Sequence, residues 1–326
     1  MKAIKFFAIS AMAAAMITSC STDDELSQSN YPSDNIIRVT AGVNNAKTRA
    51  EGAGTPLEQP LSLTVVNKNA PKYTYTDKVF SKSSGDWACS ETLLWQKSDA
   101  LVDIVAFAPA QTGKFNGVYA NESIQPIAYS VASDQSTSSA NNDLLYYYAK
   151  DFNPGESLDK GKLKIQFNHA FCMIDINVTL GTEFNKPNVL DDSPIVKVTL
   201  GGTKIAANVN VTNAASVVTA SETAAATDIT TTKGTFDKAA NAEANAKSYF
   251  SCIAIPQTVA ANTFKVSLKT ADKLYEWTST GAVELKSGYR YTLELSMGNN
   301  VVLLKGGSIT AKPWTEITSD KPLETD

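Results

Sequence analysis

The chain holds one histidine, His169, so any Ser-His-Asp or Cys-His nucleophilic arrangement would have to be built on it. It stands in Phe167-Asn168-His169-Ala170-Phe171, at the mouth of a strand-like run. There a hydrogen-bonded structural histidine is expected, not a general base. With one histidine and no cysteine pair at ligand spacing, the usual zinc sets are excluded; no metal ligand is assigned and no cofactor is expected. Gly155 to Lys162 (GESLDKGK) has the composition of a phosphate-binding loop, but its glycines are one residue too far apart and Leu163 replaces the required hydroxyl. It reads as a turn. The acid pairs Asp23/Asp24 and Asp191/Asp192 read as solvated segments. A glycosidase dyad drawn from carboxylates distant in sequence stays open, with nothing favouring it. Trp87, Trp95, Trp277 and Trp314 could line a sugar site, but packing is the expected role of each. No catalytic residue is assigned, and the chain is not expected to be an enzyme.

The start of the chain carries a different chemistry. Lys2 and Lys5 give a short positive segment, Phe6 to Ile17 is apolar, and small residues lead to Cys20. That is a secretory signal, too short to span a bilayer as a mature helix. Ile17-Thr18-Ser19-Cys20 resembles the lipobox of bacterial lipoproteins. The resemblance implies that residues 1–19 are cut away and that the Cys20 thiol is acylated. Ser21 to Glu25, with three acids, resembles the tag that sends such lipoproteins to the outer face of the cell. Each buried acyl methylene adds about 0.8 kcal/mol, so several chains anchor firmly. The expected location is the outer membrane and cell surface, with membrane contact only through the lipid. Residues 20–35 are polar and read as a flexible tether.

The formal charge is −4 and the pI is near 5.3, so nothing attracts nucleic acid or an anionic membrane face. After Cys20, three cysteines remain: Cys89, Cys172 and Cys252. Cys172 and Cys252 sit in apolar strand-like runs and read as small core residues. A disulfide between them is left open.

Long helical patterns are scarce, and period-two alternation recurs. It is clearest in Ile174–Leu180, Phe264–Lys269 and Tyr289–Met297. Val196/Val198/Leu200, Ile205/Ala207/Val209/Val211 and Tyr249/Ser251/Ile253/Ile255 give further stripes. In the first half, Ile37/Val39/Ala41/Val43 and Leu61/Leu63/Val65 alternate. Leu101–Ala108 is more continuously apolar, as expected of a central strand, and Leu144–Tyr148 is a further short run. Strands with one wet face predict an all-β protein of antiparallel sheets packed as sandwiches. The turn-rich stretch Asp151–Lys162 separates two groups of strands, so the domains are placed at 36–155 and 160–326. An Ala/Thr-rich insertion near 213–245 reads as an exposed excursion with one short element at most. Ser130–Asn142 reads as a smaller loop of that kind.

Several phrases in order then resemble the fimbrillin family, the subunits of type V pili. After the lipobox come an early strand, Thr48-Arg49-Ala50, Asp143-Leu144-Leu145-Tyr146-Tyr147 and Ile165-Gln166-Phe167-Asn168-His169-Ala170. Ile255-Pro256-Gln257, Gly288 to Tyr291 and Ile309 to Trp314 follow. The resemblance implies two β-sandwich domains of transthyretin-like topology and function through assembly. It further implies cleavage between Arg49 and Ala50 by an arginine-cutting protease, with loss of the strand carrying Ile37, Val39, Ala41 and Val43. The vacated groove would then take a strand from another pilus subunit. The C-terminal segment with Val301, Val302, Leu303, Leu304 and Ile309 supplies the candidate donor, with Pro313 interrupting its second half. Implied partners are other pilus subunits, the processing protease and, for an adhesin, a host or bacterial surface receptor. The alternative is a non-polymerising surface lipoprotein that binds glycan through an aromatic face.

Overall fold

The computed structural model describes residues 30–44, 55–111, 113–139, 142–305 and 309–314. The fold is all-β. The described residues form two hydrophobic cores.

The first core lies under an eight-stranded sheet in the order Thr55–Pro56, Val39–Val43, Leu163–His169, Leu145–Phe152, Val102–Ala108, Leu61–Val66, Tyr75–Ser83 and Asp86–Cys89. Val102–Ala108 is buried throughout and has strands on both sides, as its mostly apolar run, broken by Asp103, requires. Leu101, which precedes it, is 48% exposed and takes no part in the core.

The second core is held by two main sheets. One is ordered Thr232–Asp237, Lys247–Ala254, Cys172–Leu180, Tyr289–Met297 and Val302–Leu304, with Thr310–Pro313 also paired to Tyr289–Met297. The other is ordered Ile229–Thr230, Lys197–Gly201, Lys265–Lys269 and Leu274–Thr278. Cys172–Leu180 and Tyr289–Met297 run parallel, in register from Met173 opposite Arg290 to Leu180 opposite Met297.

Several local expectations are corrected. Leu163–His169, placed with the second group of strands, pairs with Val39–Val43 and Leu145–Phe152, and its Leu163, Ile165 and Phe167 side chains belong to the first core. The turn-rich stretch before it is a local reversal, with Asn153 capping the short helix Pro154–Ser157 through its bond from the Gly155 amide. In Lys247–Ala254 Ser248, Phe250, Cys252 and Ala254 are buried; of the expected stripe, Tyr249 and Ser251 are half-buried, whereas Ile253 and Ile255 are buried in the same core. Both faces of that strand carry apolar residues, so alternation alone does not choose between them. The Ala/Thr-rich insertion holds three strands, Val218–Ala220, Ile229–Thr230 and Thr232–Asp237, and buries Val217, Val218 and Ile229. Small and β-branched residues suit short edge strands. Val196 is 62% exposed, so that stripe begins at Val198.

The two halves of the chain are stitched together. Ile127–Ser130 pairs with Ala206–Val209. Gln135, in the Ser130–Asn142 loop, brackets Ile253, donating to its carbonyl at 2.9 Å and accepting from its amide at 2.8 Å. Phe107, Phe115 and Tyr129 from the first half join the second core.

Candidate assembly site

The early strand is seated in the first sheet. The Ile37 amide donates to Leu93 at 2.9 Å, and Trp95 donates to Asn35 at 2.8 Å. From there Val39–Val43 runs parallel to Leu163–His169, Val39 opposite Leu163 and Val43 opposite Phe167. Leu163 donates to Arg38, and Asn44 donates to Phe167, each at 2.7 Å. Along the other edge Gly42 and Val43 pair with Thr55–Pro56, and Ala41 accepts from the Leu57 amide at 3.4 Å. Ile37, Val39 and Val43 are 4%, 3% and 5% exposed, and Ala41 is half-buried. They share a core with Leu93, Trp95, Leu163, Ile165 and Phe167. Period-two alternation alone puts all four of these side chains on one face. Taking the strand away leaves an apolar trough and the unpaired edge of Leu163–His169. At its entrance Arg38 grips Asp34 through two hydrogen bonds, at 2.9 and 2.6 Å. That guanidinium, helped by the Ile36 amide, holds the Asp34 carboxyl well below the usual carboxylate range.

Cys20, Arg49 and Ala50 lie outside the described residues. The chain has two other arginines, Arg38 and Arg290, and both lie in hydrogen-bonded backbone. The Arg38 carbonyl accepts from Leu163. Arg290 pairs with Met173 on one side and Lys312 on the other, and its guanidinium holds Asp175. A protease must draw its substrate into an extended, unpaired form, which neither site offers.

At the other end of the chain, Val302–Leu304 lies against Leu295–Met297, and Thr310–Pro313 lies against Tyr289–Thr292. Cys172–Leu180 takes the opposite edge of Tyr289–Met297, so both tail strands share one edge. Val302 is buried, Val301 and Leu303 are 50% and 59% exposed, and Leu304 and Ile309 are half-buried. The four residues of Thr310–Pro313 are exposed. Trp314 turns inward and is buried.

His169 is buried, with Nδ1 2.7 Å from Asp143 Oδ2 and its ring against Trp314. Cys172 and Cys252 are both free thiols, so they form no disulfide with each other. Burial pushes both thiols far up. Trp95 and Trp314 are buried, whereas Trp87 and Trp277 pack at the margins of the two cores. Sequence reasoning named Trp314 and His169 separately but missed their contact. Nothing in the local pattern of either segment signals it. Among the described residues, no group of three or more His, Cys, Asp or Glu is placed to hold a metal ion. No described helix is long and apolar enough to cross a membrane.

Two β-rich cores, the first holding the early strand Val39–Val43 and the second the late strands Val302–Leu304 and Thr310–Pro313, define the fold. The family model described as fimbrillin-like matches residues 36–314, and the chain belongs to that family. No curated protein matches it. Among solved structures it is similar to a candidate cell adhesion protein from Bacteroides ovatus, at 17% identity and TM-score 0.61, covering 86% of this chain and 98% of that one. A candidate cell adhesion protein from Bacteroides uniformis matches at 15% identity and TM-score 0.58, covering 86% and 100%. A fimbrial protein from Bacteroides vulgatus matches at 15% and 0.51, covering 86% and 98%. At these identities the structures speak for the fold. Family membership supports a fimbrial or adhesion subunit, a component of cell-surface appendages that works with other pilus subunits.

Proposed function

We propose that this chain is a structural or adhesive subunit of a cell-surface fimbria, exported as a lipoprotein acylated at Cys20. It matures by cleavage between Arg49 and Ala50. The strand with Ile37, Val39, Ala41 and Val43 then leaves with the lipid anchor, and a strand of another subunit enters the vacated trough by β-augmentation. The observation that carries the reading is the seat of that strand, with three side chains 5% exposed or less and its whole length paired in parallel with Leu163–Phe167. Burying its four apolar side chains is worth on the order of 6–12 kcal/mol as an upper figure, before ordering costs. The outgoing and incoming strands are near equivalents in this respect, so cleavage converts a stable monomer into a unit that polymerises. The donor is drawn from the tail with Val301, Val302, Leu303, Leu304 and Ile309.

An immunoblot of outer-membrane and surface material after mild heating tests the proposal. A ladder of large species built from chains starting at Ala50 is expected. Intact monomer alone, with Cys20 still attached, would overturn it.

The alternative is a non-polymerising surface lipoprotein that binds glycan. One observation favours it: Trp277 and Tyr291 help line an open cleft of about 490 Å³, together with Leu304, Ile309 and Ala311. Glycan-array binding lost in Trp277→Ala, with no ladder formed, would select it.

A further inference from the structure

The indole of Trp314 lies flat on the imidazole of His169, ring centroids 3.7 Å apart and planes 10° apart. Trp314 is 6% exposed and His169 4%. His169 is itself fixed, its Nδ1 2.7 Å from Asp143 Oδ2 and its backbone paired with Leu145. The Trp314 amide donates to Gly288 at 2.7 Å. The Gly288 amide in turn donates to Phe171, just beyond His169. The four residues before Trp314 bring little side-chain burial, since Thr310, Ala311, Lys312 and Pro313 are all exposed. Thr310–Pro313 is thus held by ladder bonds on one edge and by one large buried side chain at its end. Short ladders on an exposed edge open easily; a buried aromatic stack does not.

We propose that Trp314, His169 and Asp143 form a latch. It keeps the C-terminal tail folded back on its own chain, and Trp314 must leave its seat before the tail pairs with a second copy of this chain or a related subunit. The purpose of the latch rests on the strand-exchange reading; its existence does not. His169 and Asp143 are positioning residues: Asp143 orients the imidazole, and the imidazole presents the face on which the indole packs. The rest of the tail is adapted to leave, with Val301 and Leu303 already exposed on the Val302–Leu304 side.

Hydrogen exchange on the full chain, read by mass spectrometry, tests this. In Trp314→Ala, amides of the 301–314 peptide should exchange about tenfold faster than in the parent chain. The Cys172–Leu180 peptide should keep its protection. Trp314→Phe, which keeps an aromatic face on His169, should restore most of the tail protection. Tail exchange in Trp314→Ala within about twofold of the parent would overturn the latch. So would equal loss of protection in the tail and the Cys172–Leu180 core peptide. If Trp314→Ala frees the tail but the chain cut after Arg49 stays monomeric, the latch stands and strand exchange falls.

Discussion

Val43 and Trp314 meet the same strand two residues apart: Val43 lies opposite Phe167, and Trp314 stacks on His169. The early strand and Trp314 of the tail are therefore seated on a single element, Leu163–His169. Asn44 adds a tie beside it, its Nδ2 donating to Asn168 Oδ1 at 2.9 Å. Cleavage after Arg49 and loss of the strand should loosen the end of Leu163–His169 and with it the seat of Trp314. Exchange of the 301–314 peptide should rise several-fold in the cut chain over the uncut one. Unchanged protection in a cut chain that has lost its 36–43 segment would show the two ends to be independent.

The two faces of Val39–Val43 should respond very unequally to the same substitution. Val39→Asp drives a carboxylate into the first core and should cost at least about 3 kcal/mol in urea unfolding. Thr40→Asp, on the other face, should cost less than about 1 kcal/mol. Equal costs would mean that the strand is not seated as described.

The two buried thiols should be inert in the native protein. Cys172 donates to the Ala254 carbonyl at 3.2 Å, and burial pushes both Cys172 and Cys252 far above the ordinary thiol range. A thiolate-seeking reagent should modify Cys89, which is partly exposed, and leave the other two until the chain unfolds. Peptide mapping after labelling reads the result directly; native modification of Cys252 would contradict this packing.

Tyr291 gives the protein an alkaline limit. Burial raises its phenol to about 12 although the hydroxyl accepts a bond from the Lys286 amide. The folded state therefore holds this proton where the unfolded chain releases it near pH 10. Its contribution is fully present below about pH 10 and is lost as pH rises through about 12. Thermal midpoints should fall over that window, and Tyr291→Phe should flatten the fall.

How much was legible follows from which signals are local. Tyr289–Met297 and the face of Ile37, Val39, Ala41 and Val43 could be read because one side of each strand is apolar and the other polar. Lys247–Ala254 could not, since Tyr249 and Ile253 compete with Phe250 and Cys252 and only tertiary packing decides between the faces. The placement of Leu163–His169 beside Val39–Val43 is a parallel, long-range pairing, and no alternation within either segment encodes its partner. The stack of Trp314 on His169 is invisible for the same reason. Thr232–Asp237 was missed because its edge position asks for little apolar surface.

Purified full-length chain, cut after Arg49 and sized by light scattering, tests the central claim most directly. The account predicts growth into large species by chains beginning at Ala50, with a synthetic peptide of residues 36–43 slowing that growth by competing for the trough. A cut chain that stays monomeric once its 36–43 segment has gone, or that grows at the same rate with the peptide in excess, would contradict it.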